Sequence, residues 1–243
     1  MKKLKKILIL MACAVMVMIS CVSLTACSKE QVAENTETVI ETGATIIPVE
    51  LSKETAQGLY TSALQNWLVT DAYEIIFTGQ QGSNGNMKTV EIGKTDNKGR
   101  RFIYIAYDDE AGHIIGYYND KSCTLNLEDK TYVEGTSSSG EVLIGAMGDT
   151  FGRLYNHITS GRYYNGYYYI AAEQTRTYTP VGGSEVTEID TIEIMIKDGK
   201  FVKGNFATYK NEAVIQFGAY EFKYTNVDTS KIVTSLDGFT KAK

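Results

Sequence analysis

The spacing of apolar residues changes from helical to strand periodicity near residue 70. Between Leu51 and Leu68 the apolar residues recur at steps of three and one, which predicts one amphipathic helix. Ser52 is a residue type favoured at the N-cap of such a helix. After Asp71 the period becomes two, and short apolar runs separated by turn residues continue to about Glu134. This pattern predicts an antiparallel meander of five to six strands.

Two segments depart from simple alternation. Residues Arg101 to Tyr107 are apolar at both parities, which predicts a strand covered on both faces. Farther along, Leu143, Met147, Phe151, Leu154 and Ile158 recur at steps of four or three, which predicts a second helix. Glycines at 145, 148 and 152 lower the helix propensity of this segment by about 1 kcal/mol each. They indicate either a lid that moves or, as the favoured interpretation, a close approach of helix to sheet.

Strand periodicity resumes at Tyr163 and continues to Tyr224. Ile192, Ile194 and Ile196 share one face of a strand, and Asp198 with Gly199 is typical of a hairpin turn. In the last strand Phe217 and Tyr220 have opposite parity, which predicts a β-bulge near Gly218.

The first 26 residues have the layout of a secretory signal, because four lysines precede an uncharged apolar run from Ile7 to Ile19. An uncleaved transmembrane anchor is the alternative, since the apolar stretch to Thr25 could just cross a bilayer. The sequence Leu24-Thr25-Ala26-Cys27 resembles the lipobox of bacterial lipoproteins. That resemblance implies cleavage before Cys27 and lipidation of its thiol, with acyl chains such as palmitate.

This assignment divides the chain into three parts. Residues 1–26 are a signal peptide, residues 27–48 are a polar, flexible tether, and residues 49–243 form one domain. We therefore expect a lipid-anchored protein on the extracytoplasmic face of the cell membrane.

Charge and cysteine content restrict the possible partners and cross-links. The leader contains four lysines and no acidic residue, so its removal changes the net charge from −5 to −9. A nucleic-acid partner is therefore not expected. Cys123 is the single cysteine after Cys27, so the domain has no intramolecular disulfide, and we expect this thiol to be buried.

The sequence lacks the usual signatures of catalysis and metal binding. His113 and His157 are the two imidazoles, and they are far apart in the chain. The run from Gly135 to Gly140 lacks the spacing of a nucleophile elbow. One cysteine and two histidines do not make a zinc motif. We therefore predict no enzyme activity, no catalytic residues, no metal and no cofactor, with a hydrolase as the third-ranked alternative.

The order of elements and several local phrases resemble the LolA/LppX-like lipoprotein and lipid carriers. The similar phrases are Gly116-Tyr117-Tyr118-Asn119-Asp120-Lys121, Thr124-Leu125-Asn126-Leu127, Lys130-Thr131-Tyr132, Asn165-Gly166-Tyr167-Tyr168-Tyr169 with Glu173, and Val227-Asp228-Thr229-Ser230-Lys231-Ile232. The resemblance implies an α+β fold that is mainly antiparallel β. In this family a curved, unclosed half-barrel sheet carries helices on its concave face.

Two functions are compatible with these features. The first is binding or carriage of an apolar, lipid-like ligand in the half-barrel cleft, driven by burial of apolar surface. The residues predicted to bind it are Phe77, Ile92, Phe102, Met147, Phe151, Leu154, Ile194, Ile196 and Phe217. The alternative is a protein–protein interaction module with a filled interior, in which an exposed edge strand or the tyrosine-rich hairpin at 163–169 docks a protein.

Overall fold

The structure, a computed structural model, describes residues 47–81, 85–108, 110–135 and 146–242. The helices are α1 (Lys53–Leu68) and α2 (Ala146–Leu154), and a 3-10 turn follows at Tyr155–His157. The strands are β1 (Val49–Leu51), β2 (Ala72–Gln81), β3 (Asn86–Thr95), β4 (Arg101–Tyr107), β5 (His113–Tyr118), β6 (Lys121–Asn126), β7 (Thr131–Glu134), β8 (Ile158–Tyr164), β9 (Tyr167–Tyr178), β10 (Val186–Lys197), β11 (Lys200–Lys210), β12 (Ala213–Lys223) and β13 (Thr240–Lys241).

All these strands belong to one sheet, in the order β1-β8-β9-β10-β11-β12-β2-β3-β4-β5-β6-β7-β13. Neighbouring strands are antiparallel, except that β13 runs parallel to β7. The terminal strands β1 and β13 do not pair with each other, so the sheet is unclosed. The predicted antiparallel, unclosed sheet is therefore confirmed.

Helix α1 begins as predicted, because the Ser52 hydroxyl accepts a hydrogen bond from the amide of Thr55 at 3.2 Å. Four of its residues are buried against the sheet: Ala56, Tyr60, Ala63 and Trp67. They pack on side chains of β2, β9, β10, β11 and β12, including Tyr73, Ile75 and Phe77. We call this side of the sheet the helical face.

Helix α2 lies on the same face. Its buried residues Met147, Phe151 and Leu154 join the core that α1 forms with the strands. Ile158, predicted as part of this helix, is instead the first residue of β8, and Leu143 lies outside the described residues. Gly152 is exposed, and a Cβ atom built on it would have no neighbour within 4 Å. A close approach to the sheet therefore does not explain this glycine.

The opposite side of the sheet has a second core near its other end. Alternate residues of β3 to β6, among them Ile92, Phe102 and Ile114, pack against the chain from Val227 to Phe239. The Tyr118 hydroxyl donates a 2.6 Å hydrogen bond to the carbonyl oxygen of Val233 in that segment. We call this side the C-terminal face. Residues 101–106 are buried at both parities, as predicted for a strand covered on both sides.

The β-bulge in the last long strand lies at Ile215 rather than near Gly218. Thr208 pairs with Gln216 and Tyr209 pairs with Val214, so Ile215 is the extra residue opposite β11. Pairing with β2 is continuous from Gln216 to Lys223. Without a bulge in that range, residues 217 and 220 direct their side chains to opposite faces.

Candidate functional site

The lipidation site proposed from the sequence, Cys27, lies outside the described residues, as does the leader before it. Within the described part of the chain, no helix combines the length and the apolar character needed to cross a bilayer. Lipidation of Cys27 stays a prediction.

The nine residues predicted to bind an apolar ligand do not share one face. Six of them lie in the core of the helical face: Phe77, Met147, Phe151, Leu154, Ile194 and Ile196. Ile92 and Phe102 lie in the core of the C-terminal face, and Phe217 is 49% exposed. The expectation that all nine line one concavity therefore does not hold for these three, because strand parity places them on the other side.

Aromatic rings occupy the space between the helices and the sheet. The Phe151 ring centroid lies 5.2 Å from that of Tyr220, 5.3 Å from that of Phe222 and 5.7 Å from that of Phe201. Trp67 packs edge-on against Phe151 at 6.0 Å, and the buried Tyr60 hydroxyl donates to the Phe151 carbonyl oxygen at 2.7 Å. Each fully buried aromatic ring contributes about 1.5–3 kcal/mol of stability, so this region is a packed core.

A cleft of about 300 Å³ opens between α2 and the adjoining strands. Arg153 and Leu154 of α2 form one wall, and strands β9 to β12 form the floor with Gln174, Arg176, Glu188, Asp190, Thr191, Ile192, Phe206, Thr208, Ile215 and Gln216. Most of these residues are polar or charged. The lining suits a polar or peptide ligand better than an acyl chain.

Arg176 organises the charges in this cleft. Its guanidinium lies 2.6 Å from the carboxylate of Asp190 and 3.6 Å from that of Glu188. The Thr208 hydroxyl donates to the second carboxylate oxygen of Asp190 at 2.7 Å. The hydrogen bond from the Tyr178 hydroxyl to Glu188 raises the pKa of that tyrosine. The two carboxylates are thus bonded to a guanidinium and to hydroxyl donors. The floor of the cleft is therefore polar, and neither positive nor negative charge dominates it.

Strand β9 extends beyond its neighbour β8 at this cleft. Pairing with β8 stops at Ala172, opposite Ile158, whereas pairing with β10 continues to Tyr178. Among the described residues no strand covers the outer side of 173–178. Tyr164 and Tyr167 flank a two-residue turn, so the backbone groups of Tyr167 are bonded to β8. Because this direction alternates along a strand, the odd-numbered residues of β9 direct their backbone N–H and C=O groups away from β10. Glu173, Thr175 and Thr177 therefore present N–H and C=O groups at a free edge.

The sequence did not indicate a buried polar cluster at the start of α2. Glu91 on β3 is fully buried and accepts hydrogen bonds from the Tyr73 hydroxyl at 2.9 Å and from the Met147 amide at 3.2 Å. Burial raises the pKa of this carboxyl. The Arg101 guanidinium packs 5.3 Å from the Tyr73 ring and donates to the carbonyl oxygens of Leu68 and Thr70, both at 2.7 Å. The signal available in the sequence was a carboxylate placed between two apolar residues, Val90 and Ile92.

The tyrosine-rich hairpin is formed by β8 and β9. Asn165 and Gly166 turn it with φ of 50° and 81°, as two-residue hairpin turns require. Tyr163 and Tyr168 lie side by side with ring centroids 5.0 Å apart. The Arg162 guanidinium lies 5.1 Å from the Tyr169 ring centroid and 2.8 Å from Glu193.

The residues considered for catalysis and metal binding are dispersed. His113 is half-buried, which lowers its pKa, and its ring stacks on that of Tyr107 at 6.3 Å. His157 ends the 3-10 turn after α2, away from β5 in the strand order. Cys123 is a buried free thiol, as predicted. The described residues contain no group of three or more His, Cys, Asp and Glu placed to hold a metal ion.

Comparisons with known proteins gave structural neighbours but no sequence relatives. No protein-family model matches the chain, and no curated protein matches it in sequence. An uncharacterized conserved protein from Thermus thermophilus aligns with a TM-score of 0.36 and 8% identity, covering 77% of this chain and 99% of that one. The Mycobacterium tuberculosis lipoprotein LppX aligns with a TM-score of 0.38 and 11% identity, covering 74% and 100%.

MucB is a third structural neighbour. It aligns with a TM-score of 0.35 and 8% identity over 72% of this chain. The alignment covers 61% of MucB, so this chain spans about three fifths of that protein. MucB has also been solved in complex with MucA, and that structure aligns with a TM-score of 0.34.

Proposed function

We propose that this protein is a non-enzymatic, membrane-anchored lipoprotein whose β-rich domain binds a partner outside the cytoplasm. The lipobox at Leu24–Cys27 supports the anchor, and two or three acyl chains on one cysteine suffice for stable membrane attachment. In this proposal the domain is a LolA/LppX-like half-barrel whose helical face is the concave side.

The anchor is tested by replacing Cys27 with serine in the full-length chain. We expect the native protein to fractionate with membranes and to have an acylated cysteine as its first residue by mass spectrometry. The Cys27→Ser variant should leave the membrane fraction or accumulate with its leader uncleaved. A mature native protein that begins at any other residue contradicts lipidation.

The partner, in this proposal, is a protein segment that adds to the free edge of β9 in extended conformation. The single observation that carries this proposal is that no strand among the described residues covers the backbone of 173–178, which lies beside the polar cleft. A segment paired with this edge gains main-chain hydrogen bonds, and pockets for alternate side chains provide specificity. Its side chains on the helical face would meet Gln174, Arg176 and Glu188, so we expect polar residues there.

Proline substitutions provide a sharp test of strand addition. Thr175→Pro removes one outward N–H and leaves the hydrogen bonds to β10 in place. Val181→Pro is the matched control, because Val181 is fully exposed at the second position of a turn closed by the Gly183 amide on the Pro180 carbonyl oxygen. A photo-crosslinking side chain at position 173 then reports the partner in intact cells.

We expect Thr175→Pro to lower the yield of the crosslinked partner at least tenfold while Val181→Pro leaves it unchanged. Circular dichroism should show that both variants are folded. Equal crosslinking in the two variants contradicts strand addition at this edge. A partner retained in Thr175→Pro but lost in a variant of the cleft, Arg176→Ala, would assign binding to the cleft alone.

An apolar ligand beneath α2 is the second candidate. The observation that favours it is the indole N–H of Trp67, a buried donor for which the described residues provide no acceptor. A ligand with an oxygen atom could occupy this position if α2 moved away and released Phe151. Native mass spectrometry and lipid extraction of protein from its own host should then recover one apolar molecule per chain, and recovery of none contradicts this candidate.

A further inference from the structure

We propose that the end of the domain that carries the tyrosine hairpin rests on the bilayer surface. This hairpin end comprises Val49, Tyr163, Tyr164, Lys197 and Lys200. The proposal rests on the lipid anchor proposed above and adds an orientation to it. The partner it assigns to this surface is the headgroup layer of the membrane that holds the anchor.

Exposed tyrosine and aliphatic side chains lie at this end. Tyr163 and Tyr164 are 40% and 37% exposed, and the neighbouring Val49 is 59% exposed. Ile47, just before β1, is 76% exposed. Tyrosine is enriched where membranes meet water, because its ring is apolar and its hydroxyl can remain hydrated.

Cationic groups lie among these rings. The ammonium group of Lys197 lies 5.0 Å from the Tyr167 ring centroid, and that of Lys200 lies 5.3 Å from the Tyr224 ring centroid. The acidic neighbours include Glu50, which lies cross-strand from Arg162, Glu193, which pairs with Arg162, and Asp198 in the turn between the two lysines. Each Lys near an anionic membrane surface contributes about 1 kcal/mol to attraction.

The chain enters the domain at the same end. Val49 pairs with Tyr163 and Leu51 with Gly161, so β1 runs away from the hairpin tip and Ile47 precedes it on the side of the tip. Ile47 follows Cys27 by twenty positions, and if these residues form the flexible tether predicted from the sequence, their root-mean-square span would be about 25 Å. The twelve residues of β9 carry the sheet about 36 Å from the tip to the opposite end. The attached end is therefore the one held near the bilayer.

Tryptophan quenching by brominated lipids tests this orientation in the full-length, lipidated chain. The protein is reconstituted in vesicles of phosphatidylcholine and phosphatidylglycerol with brominated acyl chains. Tyr164→Trp places a reporter at the hairpin tip, and Val181→Trp places one at the opposite end of β9. The native Trp67 is buried in the core and contributes the same background to both variants.

We expect brominated lipid to reduce the emission of the Tyr164→Trp variant and to leave that of Val181→Trp unchanged. Adding Lys197→Glu and Lys200→Glu should weaken the quenching in anionic vesicles. Equal quenching of the two reporters, or none in Tyr164→Trp, overturns the orientation. Membrane retention of a Cys27→Ser variant whose leader has been removed, measured separately, would instead overturn the anchor.

Discussion

Glu91 is a buried carboxyl whose neighbours only partly compensate its loss of hydration. Burial raises its pKa above the ordinary value of 4.5, although hydrogen bonds from Met147 and Tyr73 and the charge of Arg101 oppose that rise. The folded protein therefore holds this proton more tightly than the unfolded chain does. Its contribution to stability is present below the unfolded pKa and is lost as pH rises through the folded pKa.

Glu91→Gln should consequently remove part of the pH dependence of folding. The glutamine oxygen can accept from Met147, and its amide can donate to the Tyr73 hydroxyl, so the cluster stays bonded. We expect the variant to gain stability relative to the native protein as pH rises from 4 to 7. Urea unfolding at several pH values measures this difference.

The control for Glu91→Gln is Glu185→Gln, which removes one acidic group from an exposed loop. Its stability relative to the native protein should vary little over the same range. A Glu91→Gln variant whose relative stability falls with rising pH would show that the buried carboxylate is stabilised by its neighbours more than burial opposes it.

Arg101 connects the end of α1 to the sheet. It is 9% exposed and donates to the carbonyl oxygens of Leu68, the last residue of the helix, and of Thr70. A buried charged hydrogen bond contributes about 1.5–3 kcal/mol. We expect Arg101→Met to lower the free energy of unfolding by about 3 kcal/mol. The adjacent Arg100 forms a partly exposed pair with Asp96, so Arg100→Met should cost about 1 kcal/mol or less. Similar losses in urea unfolding for both variants would contradict this role of Arg101.

At the scale of the elements, two glycines that look alike in sequence have opposite roles. Gly152 lies on the open side of α2, so Gly152→Ala should stabilise the protein by up to about 1 kcal/mol. Gly161 on β8 faces α1, and a Cβ there would lie 2.8 Å from the Cβ of Ala56. Gly161→Ala should destabilise the protein by about 1–3 kcal/mol through overpacking. Thermal unfolding distinguishes the two, and equal shifts in Tm would refute the assignment.

Local periodicity was sufficient to predict most elements. Helix α1 and its cap, the first strands and the doubly buried β4 follow from residues near one another in the chain. The position of the bulge could not be predicted from the sequence. Ile215 is the extra residue in the pairing with β11, and the parity of apolar residues in one strand does not show where such a residue lies. Ile92 and Phe102 were placed on the wrong face because the segment that buries them begins more than a hundred residues later.

The free edge of β9 was beyond sequence reasoning for a different reason. It arises because β8 has seven residues and β9 has twelve, and the chain before β8 folds into a helix and a 3-10 turn. A strand segment is an edge when no other strand pairs with one of its sides, and this depends on the pairing of the whole sheet. The Glu91 cluster likewise depends on α2 reaching β3, a contact 56 positions apart.

At the scale of the whole molecule, the sheet is protected on both sides by different means. Two helices cover the helical face, and an extended C-terminal segment covers the other face from β3 to β7. Among the surfaces that stay exposed are the two ends of the long strands β9 and β10. One end has tyrosines and lysines beside the chain's entry, and the other has the cleft and the free edge.

This polarity predicts how the protein tolerates a shorter tether. Deleting residues 30–41 leaves Ile47 eight positions after Cys27, a reach of at most about 29 Å. That reach does not span the roughly 36 Å length of β9, so the opposite end could not touch the bilayer. The hairpin end needs no such reach, because the tether enters beside it. We therefore expect brominated lipid to quench the emission of the Tyr164→Trp variant equally with the full and the shortened tether. Loss of quenching on shortening would mean that the chain must fold back along the domain to reach the membrane.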